Sequence, residues 1–136
     1  MVIAHTGIKV TEDNIAKVAE WYGKALEPLG YKKMRSFLDG LATGFSDHAD
    51  GNEADWWVSG VLEGATALEV TVPNSHYAFT VKGGVTVDGF YKAGVEAGGK
   101  CNGPPGVRAN YGPNYYAAFV FDPAGNDIEV AYDGLV

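Results

Sequence analysis

Read for periodicity, the chain runs through one order of elements twice. His5-Thr-Gly-Ile-Lys-Val10 lies over His76-Tyr-Ala-Phe-Thr-Val81, Trp21-Tyr22 over Phe90-Tyr91, Gly30 over Gly99, and Gly51-Asn52 over Gly125-Asn126. Identity between the halves is low, but histidines and aromatics keep register. A duplication of this kind makes each half a supersecondary unit that needs a neighbour to bury its apolar face. The pattern predicts an α+β chain of two βαβββ modules, 1–62 and 76–136, forming cupped, mixed, mostly antiparallel sheets. All 136 residues fit one domain.

In the first module, residues 2–10 alternate as a strand, with Val2, Ala4, Thr6, Ile8 and Val10 on one face and Ile3, His5, Gly7 and Lys9 on the other. Thr11 is placed as a helix N-cap, with Glu12 and Asp13 in the first turn. Ile15, Val18, Ala19, Tyr22, Leu26 and Leu29 form one helical stripe, which Pro28 and Gly30 end. Strands are expected at 31–38, 41–46 and 55–62, with a tight hairpin at Asp39-Gly40 and a polar loop at 47–54. In the second module, a strand at 76–82 leads to Thr86 as a cap for a helix over 87–97. Val87, Phe90, Tyr91 and Gly94 face inward on that helix. A Gly- and Pro-rich loop at 102–113 precedes strands at 115–121 and 127–132, joined by Asp122-Pro123-Ala124-Gly125-Asn126.

The charge balance narrows the partners. Ten Lys and Arg against seventeen Asp and Glu give a net charge of −7, and cations so scattered cannot assemble a face for nucleic acid or an anionic membrane. Cys101 is the single cysteine, which excludes an intrachain disulfide and a Cys-rich zinc site; it is expected as a small buried residue. The start, MVIAHTGIKV, has no secretory pattern, and no apolar run approaches the ~18 residues of a membrane helix. A cytoplasmic protein is the expectation.

Strand pleating selects the candidate ligands. His5 points away from the apolar face of the first strand, beside Gly7. His76 and Glu129 take the same side of their strands, opposite Tyr77, Phe79, Ile128 and Val130. Two imidazoles and a carboxylate facing one hollow suit a divalent first-row metal. Tyr116 is placed on the hollow side of its strand, with Phe119 and Phe121 on the helix side, as a candidate proton donor. Arg108, Asn110 and Tyr111 follow the GPPG segment, where a loop carries binding residues; Arg108 suits a carboxylate or phosphate. Trp57, Phe45 and Arg35 are assigned to the opposite wall as substrate contacts, and Trp56 to the core. His48 is assigned to the surface.

At these residues the sequence resembles the vicinal oxygen chelate superfamily, which includes glyoxalase I, fosfomycin-resistance thiol transferases, extradiol dioxygenases and bleomycin-resistance proteins. The stretches that carry the likeness are HTGIKV and VAEWYGKALEPLGYKKM in the first half, and SHYAFTV, VDGFYKAGVEAGGK and YYAAFVFDPAGNDIEV in the second. The resemblance spans the chain and implies a single glyoxalase-like domain with metal ligands at His5, His76 and Glu129. The fourth ligand position of glyoxalase I falls on Trp57, which cannot ligate a metal. The remaining set resembles that of fosfomycin-resistance enzymes and extradiol dioxygenases, but the potassium loop and basic phosphonate pocket of the former have no counterpart. The implied function is a metal-dependent glyoxalase- or dioxygenase-type enzyme acting on a small oxygen-rich substrate. A zinc, manganese, nickel or ferrous ion would serve as Lewis acid. The alternative, which Trp57 favours, is a metal-free binding protein of the drug-sequestering, bleomycin-resistance type. The resemblance also implies a homodimer that pairs His5 of one chain with His76 and Glu129 of the other. Tyr115, Tyr116, Trp56, Trp57 and Phe45 supply apolar surface for such an interface.

Overall fold

The computed structural model describes residues 3–48, 54–61 and 74–134. β1 (Thr6–Val10) leads through a 3-10 turn at Glu12–Asn14 into α1 (Ile15–Ala25), followed by β2 (Lys32–Phe37), β3 (Ala42–Ser46) and β4 (Trp56–Gly60). The order then repeats as β5 (His76–Thr80), α2 (Gly84–Glu96), β6 (Lys100–Val107), β7 (Tyr116–Phe121) and β8 (Asp127–Tyr132). Each module forms one four-stranded sheet, β1-β4-β3-β2 and β5-β8-β7-β6. The first and last strands of each module pair in parallel and the other neighbours antiparallel. The α+β class and the paired βαβββ organisation are those the repeat implies. No helix among the described residues is long and apolar enough to cross a membrane.

The helices carry the stripes that the sequence spacing marks. α1 buries Ile15, Val18, Trp21, Tyr22 and Ala25, and α2 buries Val87, Phe90 and Gly94. The modules share one core, because these stripes meet each other as well as their own sheets. Gly94 lets the helices approach closely: a Cβ there would lie 3.3 Å from Trp21 Cζ2, and Trp21 Nε1 donates to the Gly94 carbonyl at 2.8 Å. Tyr22 Oη donates to Asp122 Oδ2 at 2.7 Å, and Tyr77 Oη donates to the Gly7 carbonyl at 3.2 Å. Trp56 meets Tyr77 and Phe79 edge-on, with ring centroids 4.8 and 5.3 Å apart.

Several element boundaries depart from the sequence expectation. The 102–113 loop gives up its first part to β6. Among the described residues β6 is an edge strand that pairs with β7 alone; prolines, which lack a ladder donor, are tolerated at such edges, and the register shifts between Cys101 and Gly106 accommodate Pro104 and Pro105. α2 begins before Thr86: Gly83 is the extended N-cap, and the Thr86 N–H already bonds the Gly83 carbonyl at 3.1 Å. Thr11 precedes the 3-10 turn rather than α1 itself. The Asp39-Gly40 hairpin is a 3-10 turn over Leu38–Gly40, with Leu38, Asp39 and Gly40 all at positive φ. Strand β1 starts at Thr6, so His5 immediately precedes it. Cys101 is exposed, since it lies on the open edge strand. Gly51-Asn52 and the ends of both modules lie outside the described residues.

Candidate functional site

Each sheet has one face covered by the core and one turned away from it. In the second sheet, β5 and β8 pair Ala78 with Glu129 and His76 with Asp127. Apolar Ile128 and Val130 hold the other face in the core, which sends Asp127 and Glu129 to the open side. There His76 Nε2 lies 3.1 Å from Glu129 Oε2, and His76 Nδ1 lies 3.0 Å from Asp127 Oδ2. Tyr115 Oη donates to Glu129 Oε1 at 2.6 Å. Burial, and then this hydrogen bond, push the Tyr115 phenol up to about 12. Glu129 is 5% exposed, so its carboxylate depends on these partners. Asp127 Oδ1 is buried without a hydrogen-bond partner.

The cluster continues across β7. Phe119 pairs with Glu129, and its ring stacks near His76 at 6.3 Å. The Arg108 guanidinium lies 5.5 Å from the Phe119 centroid on the same ring system, with Nη2 donating to the Pro104 carbonyl at 2.6 Å. Arg108, Tyr111, Phe119, Asp127, Asn102 and Gly103 line a hollow of about 390 Å³. The 108–115 loop thus brings Arg108 and Tyr111 to the side where His76 and Glu129 stand.

The first sheet has its own hollow, of about 740 Å³, which includes His5, Lys9, Arg35 and Trp57. Trp57 pairs with Gly7 and Gly44, so the indole takes the sheet position that Glu129 holds in the repeat. Trp57 Nε1 donates to the Ala54 carbonyl at 2.9 Å. Among the described residues of one chain, His5 does not converge with His76 and Glu129. The only convergent His, Cys, Asp and Glu group of three among them is Asp47, His48 and Asp55. That group holds His48 3.9 Å from Asp47 and 3.8 Å from Asp55, while Tyr31 donates to Asp55 Oδ2 at 3.1 Å. Asp47 and His48 open the polar loop and Asp55 directly follows it, and that placement is the sequence signal for the group.

Two placements are corrected. Tyr116 does not face the hollow: it turns to α2, where its hydroxyl donates to Asp88 Oδ1 at 2.7 Å, and that bond raises the phenol above its ordinary value. Tyr115 is the residue on the hollow side. Phe45 is no wall residue either. It pairs with Trp56, and cross-strand partners share a face, so both rings pack in the core, Phe45 at 1% exposure.

No protein-family model and no curated protein matches the sequence. Solved structures do. A glyoxalase/bleomycin resistance protein/dioxygenase family enzyme from Burkholderia phytofirmans PsJN superposes with a TM-score of 0.70 at 15% identity, over 98% of this chain and 99% of that one. A glyoxalase/bleomycin resistance protein from Albidiferax ferrireducens T118 gives 0.67 at 20% identity, over 93% and 96%. A lactoylglutathione lyase from Agrobacterium tumefaciens gives 0.65 at 18% identity, over 98% and 95%. The chain therefore has the fold of the glyoxalase/bleomycin-resistance/dioxygenase proteins, the vicinal oxygen chelate superfamily.

Proposed function

We propose that the protein is a metal-dependent enzyme of the vicinal oxygen chelate type, acting on a small oxygen-rich substrate. The observation that carries this reading is the pair of donors on the second sheet. His76 Nε2 and Glu129 Oε2 stand 3.1 Å apart, close enough to bind one ion through bonds of about 2.0–2.2 Å. Each is fixed from behind. Asp127 on Nδ1 holds the imidazole with Nε2 turned to the site, and Tyr115 on Oε1 leaves Oε2 of Glu129 for the ion. When bound, a zinc, manganese, nickel or ferrous ion supplies Lewis-acid chemistry toward adjacent oxygens of the substrate. Arg108 and Tyr111 lie at the edge of the same face to bind it. His5 lines the hollow of the other sheet, so it serves as third ligand by reaching His76 and Glu129 of a second chain in a homodimer.

Titrating chelator-stripped protein with Zn²⁺, Mn²⁺, Ni²⁺ and Fe²⁺ tests the reading. One ion per site is expected. His76→Ala, Glu129→Ala and His5→Ala should each weaken it by well over about tenfold. Unchanged binding in all three variants would sink the assignment. Co-refolding His5→Ala with Glu129→Ala chains should restore some sites, and sedimentation of a monomer at micromolar concentration would refute the dimer.

A second reading, a metal-free small-molecule binding protein, is favoured by one feature. Trp57 stands in the repeat position of Glu129, with Phe37 beside it in a near-parallel stack at 5.9 Å and 17°. The two readings differ in whether ligand binding needs an added ion.

A further inference from the structure

We propose that the hollow of the first sheet binds a flat anion, a conjugated system bearing an oxyanion group, laid on Trp57 and held by Arg35 and Lys9. The inference names the substrate class for the reading above and rests on its assignment of the open sheet faces to ligand binding.

The floor is built for a flat guest. Trp57 occupies the centre of the sheet, and its neighbours across the strands are Gly7 and Gly44. A Cβ at Gly44 would lie 2.9 Å from Trp57 Cη2, whereas one at Gly7 would collide with the Trp57 backbone. Glycine at 44 leaves room for the indole to rest on the sheet, and glycine at 7 lets β1 and β4 come close beneath it. The Nε1–Ala54 bond at 2.9 Å sets its orientation, and the near-parallel Phe37 ring extends the flat apolar surface.

A bulge supplies the charge. Lys33 pairs with Phe45 and Arg35 with Gly44, leaving Met34 as the extra residue. In an unbroken strand Lys33 and Arg35 would share a face. Phe45 faces the core, whereas Gly44 faces the indole, so the bulge turns Arg35 onto the hollow side, and Phe37 follows it. Re-aiming side chains is a recurrent use of such bulges.

The charge of the hollow opposes that of the molecule. Among the described residues its lining contains His5, Lys9 and Arg35 and no Asp or Glu, in a chain with seventeen acids and ten Lys and Arg. Among the described residues neither Lys9 nor Arg35 has a carboxylate within ion-pair distance. A guanidinium that no described carboxylate pairs, beside an aromatic floor, matches a planar or tetrahedral oxyanion on a conjugated body. The volume of about 740 Å³ is within the range for small-molecule sites.

The test uses 2-naphthoate, 2-naphthyl phosphate and the uncharged 2-naphthamide as probes, titrated calorimetrically into chelator-stripped protein. Saturable binding of at least one anion is expected, with the amide weaker by about tenfold or more. The tighter of the two anions distinguishes carboxylate from phosphate. Arg35→Gln, on an exposed edge strand, should weaken the anions by about tenfold and leave the amide unchanged. Trp57→Phe should weaken all probes in proportion. Equal affinity for anion and amide, insensitivity to Arg35→Gln, or no anion binding would overturn the proposal. Mn²⁺ titration of the same protein separates the two inferences. Anion binding without a His76- and Glu129-dependent ion leaves the hollow standing and the metal reading refuted. Ion binding without anion binding does the reverse.

Discussion

A carboxylate buried as deeply as Glu129 must find donors, and the cluster around it can be dissected one side chain at a time. Tyr115→Phe leaves Oε1 without its hydroxyl partner. The expected result is a loss of about 1–3 kcal/mol in urea unfolding and metal affinity lowered by about tenfold. Gly44→Ala should shift the indole of Trp57 and cost about 1–3 kcal/mol through overpacking, with a changed tryptophan fluorescence spectrum as the direct sign. Which residues face the hollow was legible where one face of a strand is plainly apolar. Ile128 and Val130 fix the core face of β8, so Glu129 falls opposite. Tyr115-Tyr-Ala-Ala-Phe-Val-Phe121 gives no such sign, being apolar on both faces, so its own residues do not reveal that Tyr116 faces α2. The signal lies in the turn: Phe121 pairs with Asp127, so stepping back along the hairpin puts Phe119 opposite Glu129. Likewise, pairing with buried Trp56 puts Phe45 in the core.

At the level of elements, hydrophobic period identified both helices and most of the strands, because each buries one stripe or face in a shared core. Leu26 and Phe45, 0% and 1% exposed, should lose about 2–5 kcal/mol on truncation to Ala, whereas His48→Ala on the exposed loop should be near neutral in the same urea melts. What period could not reveal was β6. Two prolines and two glycines in eight residues read as a loop, and only the partner strand β7 shows that the segment pairs. The start of α2 was obscured similarly. Gly83 and Gly84 carry no side-chain signal, so the first cap visible in the sequence is Thr86. The bulge at Met34 leaves no mark in the alternation of residues 32–37 and becomes visible only through the register with β3.

For the molecule as a whole, the join between modules carries a pH dependence. Burial first, then the neighbouring Asp122, raises the Tyr22 phenol well above its ordinary value. Burial and Asp55 do the same for Tyr31. Above the ordinary tyrosine value of about 10, the unfolded chain releases protons that the folded chain retains. This contribution to stability is therefore complete below about pH 10 and is lost as pH rises beyond it. Urea midpoints should fall from that point upward, and Tyr22→Phe should flatten the fall; a midpoint indifferent to alkali would contradict the assignment. The open edges of the sheets have a different consequence. An unpaired strand edge is a template on which further copies can add, the first step toward fibrils. On β6, Pro104 and Pro105 remove two donors and the register shifts break the straight run of acceptors. On β2, Lys32, Lys33 and Arg35 set like charges against any copy of the same edge, and a bulge twists it. Concentrated protein should therefore resist strand addition at β2 and β6, and straightening either of these two edges, by replacing the prolines or deleting Met34, is the change that would expose it to amyloid growth there.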